Sequence, residues 1–235
     1  MGETVIQVSS LGKRIKGKTI LEEISFEINK GDCVALIGPN GAGKTVLMSC
    51  ILGDKKPSSG QVLIDGKAGK AKNQIAVLLQ ENTIPNSLKV EELIAFFQAI
   101  SDNPLTNQEV QELLQFKEDQ YQQFADKLSG GQRRLLAFVL CLIDKPKILF
   151  LDEPTAGMDT STRQRFWEIV NDLKKSGTTI LYSSHYIEEV EHTADRILVL
   201  HQGKLIRDTT PYAMRHEEKE KQVTLPSSFV SIVHG

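Results

Sequence analysis

The sequence predicts an α/β fold that carries an inserted helical segment, and three observations support this class. A glycine-rich loop at residues 38–45 lies between an apolar run of strand length and a segment with helical character. Short apolar runs bounded by turn residues recur on both sides of that loop. Between them, residues 81–144 change from strand-like to helical periodicity.

The glycine-rich loop has the chemistry of a phosphate site. The run Gly38-Pro39-Asn40-Gly41-Ala42-Gly43-Lys44-Thr45-Val46 contains the pattern G-x-x-x-x-G-K-[ST] and opens a helix. Free amides at a helix start attract anions, and glycines let the backbone approach the phosphates. Lys44 would reach the β- and γ-phosphate oxygens, and the Thr45 hydroxyl would bind Mg²⁺. A plain glycine-rich turn is the alternative, but the full spacing and both flanks favour a nucleoside triphosphate site.

Composition excludes several classes of protein. The chain has 235 residues, a formal net charge of −2, and 40% hydrophobic and 25% charged residues. It lacks the basic footprint of a general nucleic-acid binder. Cys33, Cys50 and Cys141 have no metal-like spacing and indicate buried thiols in a reducing compartment. Because no apolar run approaches the roughly 20 residues of a membrane helix and no signal-peptide pattern is present, we expect a cytoplasmic protein.

Hydrophobic periodicity predicts the order of the elements. Strands are predicted at residues 4–8, 24–28, 33–37, 61–65, 74–79, 148–151, 178–183, 196–200 and 204–207. Helices are predicted at residues 46–52 and 187–193, from about Ser161 to a stop at Gly177, and from Thr210-Pro211, where proline takes the first helical position. The tail from Glu217 is assigned no fold.

Residues 81–144 have the features of several helices. Val90, Leu93 and Ile94 lie on one helical face, and Thr106 and Glu109 have the spacing of a capping box. We therefore divide the chain into a first core part (1–80), a helical lobe (81–144), a second core part (145–216) and a tail (217–235).

Two acidic residues follow a buried strand. The run Ile148-Leu-Phe-Leu ends at Asp152 and Glu153, and in such folds ligands bind beyond the carboxyl ends of the strands. Asp152 would hold Mg²⁺, and Glu153 would act as general base on an attacking water. Alone, such a pair is more often a solvated loop, but together with a phosphate loop it favours catalysis.

The pentapeptide Leu128-Ser-Gly-Gly-Gln132 has two explanations that its residues leave open. Ser129 and Gln132 have the spacing of a capping box. Alternatively, Ser129 and the amides of Gly130 and Gly131 form a second anion site at a helix start.

Taken together, these motifs resemble the nucleotide-binding subunits of ATP-binding cassette (ABC) transporters. The phosphate loop, Gln80, L-S-G-G-Q, I-L-F-L-D-E, Ala156-Gly-Met-Asp159 and Ser184-His185 follow the family's order, and the resemblance covers residues 4–210. It implies a P-loop NTPase fold of the ABC ATPase type, with an antiparallel β subdomain and an inserted helical lobe. It also implies ATP and Mg²⁺ as ligands, and hydrolysis of ATP to ADP and phosphate.

The resemblance assigns roles to individual residues. Gln80 is similar to the Q-loop glutamine, which contacts Mg²⁺, and His185 to the switch histidine, which contacts the γ-phosphate. Asp159 resembles the dimer-loop aspartate. Ser129, Gly130, Gly131 and Gln132 resemble the signature motif, which acts on ATP held by the opposite subunit. The implied partners are a second ATPase subunit, identical or different and arranged head to tail, and a membrane-spanning permease.

Some positions depart from the family pattern. Residues 12–17 contain no aromatic side chain to stack on adenine, so Arg14 would stack there as a planar cation. Met158 and Thr160 stand where Leu and Pro are usual, and Val46 where Ser or Thr is frequent. None of these changes removes a predicted catalytic group.

The expected function is that of an ATP-hydrolysing transporter subunit on the cytoplasmic face of the cell membrane. The run from His185 to Glu191 resembles exporter subunits. A soluble ABC ATPase of the iron–sulfur assembly scaffold type is the alternative. A regulatory module that binds ATP without turnover is a third hypothesis, which Glu153 and His185 disfavour.

Overall fold

The computed structural model describes residues 2–67, 75–80, 84–85 and 87–221, the last five as backbone only. The chain forms two compact units, a first unit of Met1–Lys72 with Thr179–Gly235 and a second unit of Asn73–Thr178. The strands are β1 (Thr4–Ile15), β2 (Lys18–Asn29), β3 (Cys33–Ile37), β4 (Ser59–Ile64), β5 (Ile75–Leu78), β6 (Ile148–Leu151), β7 (Thr179–Ser184), β8 (Arg196–His201) and β9 (Lys204–Thr209). The helices are α1 (Lys44–Ile51), α2 (Val90–Ala99), α3 (Asn107–Leu114), α4 (Glu118–Gln122), α5 (Gly130–Leu142), α6 (Thr160–Lys175), α7 (Ile187–Thr193) and α8 (Pro211–Lys221).

An antiparallel sheet with the strand order β2-β1-β4 forms part of the first unit. The hairpin between β1 and β2 turns at Lys16 and Gly17, whose φ angles of 48° and 80° are those a two-residue hairpin favours. This sheet is the antiparallel β subdomain that the family resemblance implied.

The two long strands of this sheet are a correction to the sequence analysis. β1 and β2 have 12 residues each, whereas the alternating pattern predicted only 4–8 and 24–28. Register shifts interrupt β1, one of them between Val8 and Leu11, and they break the alternation of apolar and polar residues.

The first unit also contains four strands in the order β7-β3-β8-β9. β3 pairs in parallel with both β7 and β8, and every residue of β3 is buried, as expected for a strand inside a parallel sheet. β9 returns antiparallel to β8 across the turn at Gln202 and Gly203. The pairing of residues 196–200 with 204–207 is thereby confirmed.

The second unit combines the parallel pair β5 and β6 with helices α2 to α6. Its core includes Phe138 on α5 and Phe166 on α6, whose ring centroids lie 4.3 Å apart. The helical character predicted for residues 81–144 is confirmed where the chain is described, and so is the capping box of Thr106 and Glu109. The domain boundaries at residues 80 and 144 stay a prediction.

Two predictions extend beyond the described residues. The strand predicted at 74–79 is observed as β5, and Gln74 lies outside the described ranges. The last helix begins at Pro211 as predicted, and residues 222–235 of the tail lie outside the described ranges. Within the part of the chain that is described, no helix has the length and apolarity needed to cross a membrane.

Candidate active site

The phosphate loop connects β3 to α1, as its sequence predicts. Lys44 is only 6% exposed, and its ammonium donates hydrogen bonds to the carbonyls of Gly38 (2.7 Å) and Pro39 (3.3 Å). An ammonium held against two loop carbonyls is a fixed positive charge at the mouth of the loop. Of the other predicted nucleotide contacts, Asn40, Gly41 and Thr45 are exposed, Gly38, Pro39, Gly43 and Val46 are half-buried, and Ala42 is buried.

Two glycines of this loop are required by close packing. Gly38 and Gly43 have φ angles of 156° and 108°. A Cβ atom at Gly38 would lie 2.1 Å from the carbonyl oxygen of Leu200, and one at Gly43 would lie 2.8 Å from a methyl group of Leu21. The Gly203 amide donates to the Ala42 carbonyl at 3.0 Å, so the turn between β8 and β9 supports the loop. The loop shape is therefore fixed by the protein itself.

The start of α1 is suited to an anion. Gly43 is its N-cap and offers no side chain to the first amides of the helix. The first turn of α1, all of it described, contains no acidic residue. Uncapped amides and the positive end of the helix dipole together favour a phosphate group here.

His185 follows β7 and therefore lies at the same sheet edge as the phosphate loop. In the parallel pairing of β3 and β7, Ile37 is opposite Ser184, and these two residues directly precede Gly38 and His185. The His185 ring is exposed and lies 4.0 Å from the ring of Tyr186, centroid to centroid. The structure thus places the predicted switch histidine at the sheet edge where the phosphate loop begins.

The acidic pair follows β6 in the second unit. Asp152 is 2% exposed, and its amide donates to the Leu78 carbonyl of β5 at 2.8 Å. Glu153 adopts a left-handed backbone conformation with a φ of 44°, which is uncommon for a residue with a side chain. The Gln80 amide group donates to the Glu153 carboxylate at 3.4 Å. Two predicted site residues from different strand ends are thus brought together.

The pentapeptide forms the capping box that its sequence allowed. Ser129 is the N-cap of α5, where its hydroxyl accepts from the Gln132 amide at 3.2 Å and its own amide donates to the Gln132 side chain at 3.1 Å. Because the hydroxyl acts as an acceptor in this bond, its proton is still available to a phosphate oxygen. The capping and the anion-binding explanations are therefore compatible.

Asp159 is the N-cap of α6 and lies beside the pentapeptide. Hydrogen bonds from the Ser161 hydroxyl, the Thr162 amide and the Thr162 hydroxyl hold the pKa of Asp159 well below its usual range. A Cβ atom at Gly131 would lie 3.3 Å from the Asp159 carboxylate, so the two motifs are in close contact.

Arg134 is a residue of this region that the sequence analysis missed. Its guanidinium donates to backbone carbonyls at the ends of both β5 and β6, and burial lowers the pKa of Arg134. A sequence signal for it exists, since Arg134 is aligned with Ala137, Phe138 and Cys141 on the inner face of α5. A charged residue in such an apolar stripe requires polar partners inside the protein.

Hard oxygen ligands suited to Mg²⁺ are present at two of the predicted metal positions. Thr45 offers a hydroxyl at the start of α1, and Asp152 offers a carboxylate after β6. Each of these oxygens is of a kind that Mg²⁺ binds together with oxygens of a bound phosphate.

Comparison with known proteins identifies the family. The family model described as ABC transporter matches residues 21–156. The probable multidrug ABC transporter ATP-binding protein YbhF of Escherichia coli (strain K12) is 31% identical over 99% of this chain, which spans 42% of that relative's length. The Nod factor export ATP-binding protein I of Burkholderia lata is 32% identical over 91% of this chain and 73% of its own.

A solved structure agrees with these matches. The structure of an ATP-binding subunit of an ABC transporter superposes with a TM-score of 0.80 at 26% identity, covering 92% of this chain and 94% of the other. The alternative of an assembly scaffold ATPase is not favoured by any of these similarities. The chain therefore belongs to the ABC transporter family, in which it corresponds to the ATP-binding subunits.

Proposed function

We propose that this chain binds and hydrolyses ATP to drive export through a separate membrane-spanning permease. One observation carries the hydrolytic part of the proposal: Glu153, held in a left-handed conformation after the buried Asp152, lies 3.4 Å from Gln80. A carboxylate presented at a strand end and oriented by an amide has the geometry of a general base for water.

In the proposed reaction the protein positions ATP and stabilises developing charge. The amides at the start of α1 and the Lys44 ammonium hold the β- and γ-phosphates. Glu153 takes a proton from the attacking water, and His185 supports that water at the γ-phosphate. The water oxygen bonds to the γ-phosphorus as the bond to the β–γ bridging oxygen breaks, and ADP leaves with that oxygen. Mg²⁺, held by Thr45, Asp152 and Gln80, would neutralise charge on the phosphates.

Adenine recognition in this proposal depends on Arg14. Arg14 is exposed on β1, and its backbone amide donates to the Ser58 hydroxyl at 2.9 Å. A planar guanidinium gives a weaker stacking surface than an aromatic ring, so selectivity for adenine over guanine should be low.

A second ATPase subunit would complete the site. The signature residues Ser129 and Gly130, with Gly131 and Gln132, would act on ATP bound by the opposite subunit, and Asp159 would line the interface. Such a head-to-tail pair is closed by a two-fold axis, which gives two equivalent ATP sites.

Export and location follow from the relatives rather than from the chain's own geometry. The relatives named above include a probable multidrug transporter subunit and a Nod factor export protein. We propose that the chain is held on the cytoplasmic face of the membrane by the permease.

A pull-down from detergent-solubilised native membranes tests this location. It should recover a polytopic membrane protein in stoichiometric amount, whereas recovery of soluble partners alone would contradict transport.

The hydrolytic proposal is tested with Glu153→Gln. Removal of the base should lower ATP turnover by about 100-fold or more, because general base catalysis contributes roughly 10²–10⁴-fold. ATP binding should remain, so the variant should accumulate as an ATP-bound dimer, measured by size-exclusion chromatography with light scattering. Glu188→Gln, an exposed carboxylate in α7, is the matched control. A Glu153→Gln protein that stays monomeric at saturating ATP would contradict the dimer mechanism.

A further inference from the structure

The guanidinium of Arg134 contacts two separate backbone segments of the second unit. Its three nitrogen atoms donate to five carbonyl oxygens: those of Leu79, Gln80 (3.0 Å), Asp152 (3.0 Å), Glu153 (3.4 Å) and Pro154 (3.1 Å). Arginine carries five N–H donors in a fixed planar fork, more than any other side chain, which suits it to several carbonyls of two segments at once.

Each of these segments carries a predicted site residue. Residues 79–80 follow β5 and include Gln80, whereas residues 152–154 follow β6 and include the acidic pair. Gln80 and Glu153 meet at 3.4 Å through their side chains. Arg134 therefore links the backbones behind the very two side chains that contact each other.

The contacts flank the strained residue. Glu153 has a φ of 44°, in a region that side-chain-bearing residues populate sparsely and keep only when their surroundings hold them there. Arg134 donates to the carbonyls of Asp152 and Glu153, which belong to the two peptide groups on either side of the Glu153 Cα. Fixing both neighbouring peptide groups fixes the direction in which the Glu153 side chain leaves the backbone.

A purely structural role is a weaker explanation of these contacts. α5 already has another link to β5, because the Cys141 thiol donates to the Val77 carbonyl at 3.5 Å. The preceding residue, Arg133, donates to the Ile84 carbonyl at 3.0 Å, outside these two segments. The contacts of Arg134, in contrast, all lie on the two site-bearing segments.

We propose that Arg134 is a positioning residue for hydrolysis, which holds Gln80 and Glu153 in register through the carbonyls of residues 79–80 and 152–154. This inference rests on the proposed ATP hydrolysis. Arg134 contacts neither ATP nor water in this assignment. It acts through the backbone that carries Glu153.

Steady-state hydrolysis by three variants tests the proposal. Arg134→Met removes the donors and keeps an unbranched apolar stem, Arg134→Lys keeps the charge on one nitrogen, and Arg133→Met is the matched control on the same helix. In Arg134→Met, kcat should fall about 100-fold, because misplacement of a catalytic group by about 1 Å has that effect. KM should change less than about threefold, since the defect concerns orientation rather than binding.

The conservative variant and chemical rescue separate positioning from folding. Arg134→Lys should lose nearly as much kcat as Arg134→Met, because the three donors of a single nitrogen atom cannot serve all five carbonyls of the two segments. Added guanidinium ion should partly restore kcat in Arg134→Ala, and it should not raise kcat in Arg133→Ala. If Arg134→Met fails to fold, the kcat of Arg134→Lys and the rescue of Arg134→Ala still test whether Arg134 is a positioning residue.

Several results would overturn the assignment. One is a folded Arg134→Met protein that keeps kcat within about threefold of the parent chain; another is an equal loss in Arg133→Met. If the parent chain itself hydrolyses no ATP, the proposed function fails. Arg134 is then judged by hydrogen exchange at the Asp152 amide, which should accelerate in Arg134→Met and not in Arg133→Met.

Discussion

At the scale of single residues, the two glycines of the signature pentapeptide are predicted to behave differently. A Cβ atom at Gly131 would meet the Asp159 carboxylate and the Met158 Cα at 3.3 Å, whereas one at Gly130 would meet nothing within 4 Å. The carboxylate cannot yield easily, because three hydrogen bonds hold it at the start of α6. Gly131→Ala should therefore cost about 1 kcal/mol of stability through overpacking.

The matched control for this prediction is Gly130→Ala. An alanine at the first position of α5 has open space, and its helix propensity exceeds that of glycine. Thermal unfolding should rank Gly130→Ala at or above the parent chain and Gly131→Ala below it. The reverse order would mean that Asp159 relaxes away at little cost, and that the packing of the two motifs is loose.

Single residues also show what the sequence could and could not predict. Lys44, Asp152 and Glu153 could be predicted as site residues because phosphate chemistry requires their type and spacing. Arg134 was missed because its partners are backbone carbonyls more than 50 positions upstream and about 20 downstream in the chain. A spacing rule within one segment carries no information on such contacts.

At the scale of elements, the starts of α3 and α5 form a natural pair for comparison. Thr106 and Ser129 are both N-caps whose hydroxyls accept the amide three residues later at 3.2 Å. Replacing either with alanine removes the same hydrogen bond, so each should cost about 1 kcal/mol of stability. Only Ser129 is also predicted to bind ATP of the opposite subunit.

The Thr106→Ala and Ser129→Ala variants should therefore differ in ATP turnover, whereas their losses of stability should be similar. We expect ATP turnover to stay within about threefold in Thr106→Ala and to fall at least tenfold in Ser129→Ala. The measurement is steady-state hydrolysis at saturating ATP, beside thermal unfolding of the same samples. Equal turnover in the two variants would leave capping as the sole role of Ser129.

The boundaries of the strands show a second limit of prediction from the sequence. β1 was underestimated because it pairs on both sides, with β2 and β4, through several register shifts. Ser10 has a φ of 45° and breaks the period of two on which strand recognition depends. β3, a short and fully buried run without such shifts, was found with its exact bounds. Pairing with distant strands thus determines the length of β1, which the local pattern alone does not show.

At the scale of the whole molecule, the three thiols are placed to report on both units. Cys33 and Cys50 are buried in the first unit, and Cys141, half-buried rather than buried as predicted, belongs to the second. Burial raises the pKa of the Cys141 thiol from 9.0 to about 11, and it also raises the pKa of Cys50. The thiolate is the reactive form, so alkylation at pH 8 should be slow until a unit opens.

The sign of the pH effect follows from the raised pKa. Between about pH 9 and pH 11 the folded chain keeps the Cys141 proton that the unfolded chain releases. The unfolded state then binds fewer protons, so the free energy of unfolding should fall as pH rises through this range. Labelling of Cys141 should accelerate over the same range, and denaturation at pH 8 should expose all three thiols at once.

Nucleotide should change the labelling of the first unit, because the phosphate loop belongs to it. A non-hydrolysable ATP analogue at 100 times its Kd stabilises the species that binds it by about 2.7 kcal/mol, or about 100-fold in the population of the open form. Binding through the phosphate loop should therefore slow the alkylation of Cys33 and Cys50, which lie in the first unit.

The labelling rates of the two thiols test binding at the phosphate loop. The rates are measured for each cysteine separately, by alkylation and mass spectrometry of the peptides, with and without the analogue. Lys44→Ala is the control, because loss of the ammonium at the loop should abolish the slowing at both thiols. We expect Cys33 and Cys50 to be protected in the parent chain. Unchanged rates at both thiols would contradict binding at the loop, since stabilisation by a ligand reaches the parts of the fold that its binding requires to be closed.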